Sequence, residues 1–170
     1  MTTTHRLVLL RHAKAEHGLS VPDHDRPLTL RGRRQSGQVG TDMAAAGVVP
    51  DLVLCSSSVR TRQTWELLRV TLHADAAVAY SHELYGAGVD QLLALVHEVD
   101  EGVGTVLVVG HEPTMSHTAT ALAGLGSDEA THGRVRLGVP TAAWTVLTPT
   151  GLWRDLTRAS ARLQRLHVPA

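Results

Sequence analysis

Phenylalanine is missing altogether from the 170 residues, and three Trp and two Tyr make up the whole aromatic content. A core must then come from Leu, Val and Ala. Stacking platforms for single-stranded nucleic acid are out of reach. Cysteine is nearly as scarce. Its one copy, Cys55, excludes an internal disulfide and a Cys-based zinc site, and it fits a reducing compartment, so a cytoplasmic location is expected. Net charge is also lacking: 16 basic and 16 acidic residues cancel, which removes the electrostatic case for a nucleic-acid or membrane partner. Long apolar runs are absent near the N-terminus, where LVLL breaks at Arg11, too soon for a signal peptide or a membrane span. Lysine occurs once, at Lys14, against fifteen Arg. That excess reads first as compositional bias, although Arg alone grips phosphate with a bidentate fork.

Several motifs are missing too. There is no GxxxxGK[ST] loop and no HExxH. GVGTVL at 102–107 lacks the third glycine of a dinucleotide fingerprint and precedes its strand, so it reads as a turn. Eleven His invite a metal reading, but His12 with His17, and His111 with His117, lack the i, i+4 spacing of helical ligands. No metal and no other cofactor is expected. His5, His24, His73, His97, His132 and His167 read as surface residues.

What is present is an alternation of short apolar runs with helical patterns. Arg6–Leu10 reads as a first strand and positions 13–27, with Gly18, Pro22 and Pro27, as a loop. Thr29 can cap a helix to about Ala46, ended by Gly47. DLVLC at 51–55 is a second strand, and SSS at 56–58 caps a helix over Val59–Leu72. AVAYS at 77–81 is a weaker strand. Positions 89, 92, 93, 96 and 99 form a helical stripe over 89–100. GTVLVVG at 104–110 is the clearest buried strand, and Pro113 opens a helix to about Leu125. GLGSDEATHG at 124–133 reads as a loop, and strands are expected near 134–138, 142–148 and at LWRDLTR. The tail from about 158 to 170 is basic and expected to fray. This pattern predicts one α/β domain over 1–170, with a mostly parallel central sheet between two helical layers. A chain of this length buries roughly 70% of its unfolded surface, enough for a core without staples.

In such sheets ligands bind beyond the carboxyl ends of the strands. Arg11 and His12 follow the first strand, Ser56–Ser58 and then Arg60 follow the second, and His111 follows the 104–110 strand. If those strands are neighbours, two guanidiniums and two imidazoles converge. Two guanidiniums suit a tetrahedral dianion, and the helix N-termini beyond the strands add N–H groups. A neutral imidazole has a lone pair for attack on phosphorus. The second one, once protonated, stabilises a phosphoryl oxygen. The charge partner of Arg11 and His12 would then be a phosphoryl group rather than a protein carboxylate.

LLRHAKAE, SSSVRTRQTWE and VVGHEP resemble, in order, the three signature segments of the histidine phosphatase superfamily, whose fold is phosphoglycerate mutase-like. RPLTLRGRRQ at 26–35 and the short chain are similar to its SixA-type phosphohistidine phosphatases in particular. The resemblance spans roughly positions 6–150. It implies that His12 accepts the phosphoryl group, that Arg11, Arg60 and His111 complete the phosphate pocket, and that Arg26 lines a groove outside it. It also implies that Glu83, in SHELYGAG, protonates the leaving group and later activates water; a plain loop carboxylate is the alternative. His82, beside Glu83, is a candidate for touching substrate. The family's RHG reads RHA here, with Ala13 in place of Gly.

The expected activity is that of a metal-independent phosphatase with a phosphohistidine intermediate. Its substrate would be phosphohistidine on a protein, such as a carrier domain. Two readings stand beside it: a phosphatase of small phosphate esters or nucleotides, and a non-catalytic phosphate-binding module.

Overall fold

The computed structural model describes residues 4–18 and 20–170; Leu19, inside the loop expected over 13–27, lies outside the described residues. Six strands form one sheet: β1 (Arg6–Arg11), β2 (Leu52–Ser56), β3 (Ala77–Ser81), β4 (Thr105–Gly110), β5 (Trp144–Pro149) and β6 (Ala161–His167). Their order is β3-β2-β4-β1-β5-β6. The first four run parallel, while β5 is antiparallel to β1 and β6 to β5.

The central strands β1, β2 and β4 are continuous apolar runs because both faces of the sheet are covered there. Leu9, Val108 and Leu54 stand abreast in register and point to one face. There they meet Leu92 and Val96 of α3 (Val89–His97) and Met115 and Ala119 of α4 (Thr114–Leu122). Their neighbours Leu10, Val109 and Cys55 point to the other face. These pack with Val39 and Met43 of α1 (Leu30–Ala45) and with Trp65 and Leu68 of α2 (Val59–Leu72). The result is the expected three-layer α/β/α sandwich. Each fully buried Leu in it contributes about 1.5–3 kcal/mol. Gly40 lets α1 and α2 approach, since a Cβ there would strike the Leu68 carbonyl. None of the described helices is long and apolar enough to cross a membrane.

The C-terminal third departs from the sequence reading. No strand forms at 134–138. Asp128 caps a fifth helix, α5 (Glu129–Val135), by accepting from the Thr131 N–H, so part of the expected loop at 124–133 is helical. LWRDLTR is not a strand. It contains a 3-10 turn, Trp153–Asp155, that buries the Trp153 ring, whose indole N–H donates to the Val103 carbonyl at 2.8 Å. The tail does not fray. Ala161–His167 is edge strand β6, with Ala161 and Leu163 buried while Arg162 and Gln164 face outward. Its exposed Arg residues suit an edge, because charge deters pairing with further strands. His5, expected at the surface, is buried and stacks on Trp153 with ring centroids 4.5 Å apart.

Candidate active site

Because β1, β4 and β2 are neighbours, their carboxyl ends bring His12, His111 and the start of α2 together. The His12 and His111 rings lie 5.3 Å apart. His12 is 8% exposed and Arg60, in the first turn of α2, only 5%. Thr64 Oγ1 ties the two segments, accepting from the Ala13 N–H at 3.1 Å and donating to the Arg60 carbonyl at 2.7 Å. Ala13 itself is fully buried, so the small residue in place of Gly is accommodated. Gly32 lets the start of α1 sit against the Lys14 carbonyl, bracing the loop just beyond His12.

His12 Nδ1 lies 2.7 Å from the Ala13 carbonyl. A carbonyl only accepts, so Nδ1 carries the proton and Nε2 keeps its lone pair. Burial first, then His111, Arg60 and Arg11, pull the His12 pKa down to about 3, although the bond to Ala13 opposes this. His111 Nδ1 accepts from Arg60 Nη2 at 3.4 Å, so its Nε2–H donates to Ser56 Oγ at 2.7 Å. Burial first, then Arg60, lowers its pKa to about 4, with Asp23 opposing. Both imidazoles are therefore neutral near pH 7. An added dianion beside them would favour the protonated form of His111.

Arg11 Nη1 donates to the Val139 carbonyl at 2.8 Å. Glu112 fixes that segment, its carboxylate accepting from the Val139 N–H at 3.2 Å and from Ser116. The Nε–H groups of Arg11 and Arg60 are buried donors with no acceptor among the described residues. At the N-terminus of α2 one N–H is already used, since Ser58 Oγ accepts from Thr61.

Arg60 has a protein carboxylate as its charge partner. Asp23, in a 3-10 turn at Asp23–Asp25, accepts from Arg60 Nη2 at 3.0 Å through its carboxylate, and its main-chain carbonyl accepts from Nη1 at 2.7 Å. The Tyr85 hydroxyl donates to the same carboxylate at 2.5 Å and Arg26 Nε at 2.9 Å. The Tyr85 hydroxyl, then Arg26 and Arg60, hold the Asp23 carboxyl well below the usual range. Arg26 thus grips Asp23. Asp23 offers Arg60 the kind of acceptor that a phosphoryl oxygen would. The Asp23 side of the pair is open to solvent, so Asp23→Asn is expected to tighten inhibition by inorganic phosphate by about two- to fivefold. Competition against p-nitrophenyl phosphate measures this, and weaker inhibition would mean that Asp23 instead holds Arg60 in its working position.

The remaining expected residues sit at the rim. His82 is exposed, with Nδ1 3.2 Å from Ser57 Oγ. His24, read from sequence as a surface residue, joins the same hydroxyl at 2.9 Å and edges onto the Tyr85 ring at 4.9 Å. Glu83 opens the turn that carries Tyr85, Glu83–Tyr85, and is itself exposed. Asp23, Tyr85, His24 and Glu112 were given no role at the site by the sequence reading, and Ser57 entered it only within the capping run 56–58. Only Glu112, next to His111, carried a local signal. Among the described residues no group of three or more His, Cys, Asp or Glu is placed to hold a metal ion.

Comparison with known proteins agrees with this geometry. Residues 7–85 match the family model described as histidine phosphatase superfamily (branch 1). The solved structure of a candidate phosphohistidine phosphatase SixA from Nakamurella multipartitia is 39% identical. It superposes with a TM-score of 0.85, covering 98% of this chain and 97% of that one. A candidate SixA from Agrobacterium tumefaciens is 29% identical, with a TM-score of 0.81 and coverage of 98% and 99%. An uncharacterized protein of Mycobacterium tuberculosis is 39% identical over 94% of this chain and 99% of its own length. The pocket at the strand ends and these full-length matches lead to one conclusion: the chain is a phosphatase that belongs to the histidine phosphatase superfamily.

Proposed function

We propose that this phosphatase works without a metal ion, through a phosphohistidine on His12, and that its substrate is phosphohistidine carried on a protein. The observation that carries the reading is the His12 imidazole, anchored through Nδ1 and kept neutral by its burial beside the buried Arg60 and the half-buried Arg11. In the first step Nε2 attacks phosphorus, and the bond to the leaving nitrogen breaks with its electron pair. The Nδ1 proton, held on the Ala13 carbonyl, stays with the imidazolium that forms. Arg11, Arg60 and His111 bind the phosphoryl oxygens as charge spreads over them. Water then attacks phosphorus, the bond to Nε2 breaks, and phosphate departs. Glu83 is assigned the proton transfers of ester leaving groups. A phosphoramidate has less need of it, because imidazole leaves more readily than an alkoxide.

The shared likeness to SixA-named proteins supports the protein substrate. So does the exposed rim of Asp23, His82 and Glu83, which leaves the pocket open to a bulky partner. The reading places the activity in one domain and in the cytoplasm. The test is turnover of a histidine-phosphorylated carrier protein beside a panel of sugar phosphates, nucleotides and p-nitrophenyl phosphate, all in EDTA. The carrier is expected to exceed every ester in kcat/KM by about tenfold or more, with no loss to EDTA. A preferred ester would give the small-molecule reading, and loss in EDTA would sink metal independence.

A further inference from the structure

Outside the phosphate pocket a line of flat rings leads from the reacting centre to solvent. The Tyr85 ring stands edge-on to His111 at 5.5 Å and has the Arg60 guanidinium carbon 5.9 Å from its centroid. On its outer side it meets His24 at 4.9 Å and His82 at 5.9 Å, and those two rings are 5.7 Å apart. Ser57 Oγ bridges His24 Nε2 and His82 Nδ1. A hydroxyl has one hydrogen, so it donates to one imidazole and accepts from the other. The pair thereby presents differing nitrogens on a single fixed frame. In a chain with only five aromatic residues, this placement of Tyr85 among three histidines is a concentration of π-faces at one spot.

We propose that Tyr85, His24 and His82 form the binding wall for the leaving imidazole of the substrate, and so set a preference for phosphohistidine over phosphates that lack a ring. This rests on the phosphohistidine reading above and assigns that substrate's ring its seat. A phosphoryl group held by Arg60 and His111 would leave its imidazole beside Tyr85, where offset or edge-on contact between aromatic rings is favourable. The wall also bears on the chemistry. When the phosphorus–nitrogen bond breaks, its electron pair returns to the ring nitrogen. The ring leaves as neutral imidazole if its other nitrogen holds a proton. His82 Nε2, which has no hydrogen-bond partner among the described residues, supplies a nitrogen for that second ring nitrogen, while His24, held by Ser57 and by Asp25 Oδ1 at 3.3 Å, supplies a fixed ring face. A sugar phosphate has neither an aromatic face nor a ring nitrogen.

The test compares two substrates with the same phosphorus–nitrogen bond: phosphohistidine, which carries the ring, and phosphoramidate, which does not. The quantity read is the ratio of their kcat/KM values. Tyr85→Leu and, separately, His24→Ala are each expected to lower that ratio by about tenfold. Tyr85→Phe keeps the ring and drops the hydroxyl from Asp23, and it is expected to retain the wild-type ratio. A ratio within about twofold of wild type in both Tyr85→Leu and His24→Ala overturns the wall. So does a Tyr85→Phe ratio as low as that of Tyr85→Leu, which would trace the effect to Asp23. Wild-type protein that hydrolyses esters but no phosphohistidine would sink the phosphohistidine reading itself, and the wall with it. Wild-type activity on phosphohistidine with an unmoved ratio sinks the wall alone.

Discussion

His12→Ala is expected to lower kcat/KM by about 10⁴-fold or more on every substrate, because it removes the atom that forms the covalent bond. A partial loss would fit a residue that merely binds phosphate. The expected loss is near complete because the adjacent imidazole, His111, has no free lone pair with which to attack. His111 has Nδ1 turned to Arg60 and Nε2 committed to Ser56. Acid-quench-free trapping with labelled substrate should find phosphate on the wild-type chain and none on the variant. Turnover that survives in His12→Ala would overturn the phosphohistidine mechanism. The substitution has a second readout in stability. Burial lowers His12 to about 3 in the folded chain, while the unfolded chain titrates near the ordinary histidine value. Between those two values the unfolded state binds more protons, so His12 destabilises the fold progressively as pH falls from about 6.5 toward 3. Wild-type Tm should therefore drop more steeply over that range than the Tm of His12→Ala. Parallel curves would show that His12 is not held neutral by burial.

Arg60→Ala is expected to cost about 10²–10³-fold in kcat/KM, with kcat falling alongside, as for loss of a preorganised donor to transition-state charge. The guanidinium is almost fully buried and touches His111, and its Nε–H has no acceptor among the described residues. Each of these favours a role at the phosphoryl group over a surface ion pair. Arg60→Lys should recover only part of the loss, since an ammonium keeps the charge and lacks the planar fork. The competing view is that Arg60 exists to hold Asp23 and the turn at 23–25. On that view the Asp23 partners Arg26 and Tyr85 would largely compensate, and Arg60→Ala would stay within about threefold of wild type. Phosphate inhibition separates the two views further. Loss of Arg60 should weaken phosphate binding, opposite in sign to the expected effect of Asp23→Asn.

Much of the fold was legible because its signals are local. The Val/Leu runs at β1, β2 and β4, the Thr29 and Ser58 caps, and the Pro–Gly loop breaks each act within a few residues, and each element formed close to its expected bounds. The readings failed where burial arises from distant partners. Trp153 turned LWRDLTR into a 3-10 turn because Glu101 and Val103, some fifty residues earlier, offered acceptors and a seat. The tail became a strand because β5 had an open edge, although the alternation in ARLQRL was there to be read. His5 went inside for the same reason as Trp153, its stacking partner.

The four residues at the three strand ends could be named from sequence because a strand fixes where its end lies, and neighbouring parallel strands must open on one edge. That much the chain determined by itself, together with the layers. The tertiary structure alone decided what meets those residues from the side. Asp23 and Tyr85, 62 residues apart, share one hydrogen bond beside Arg60, and His24 and His82 share one hydroxyl from a third segment. No local pattern encodes such meetings. They depend on how loops from separate strands fold over one another, and a loop's path is set by the side chains it finds there.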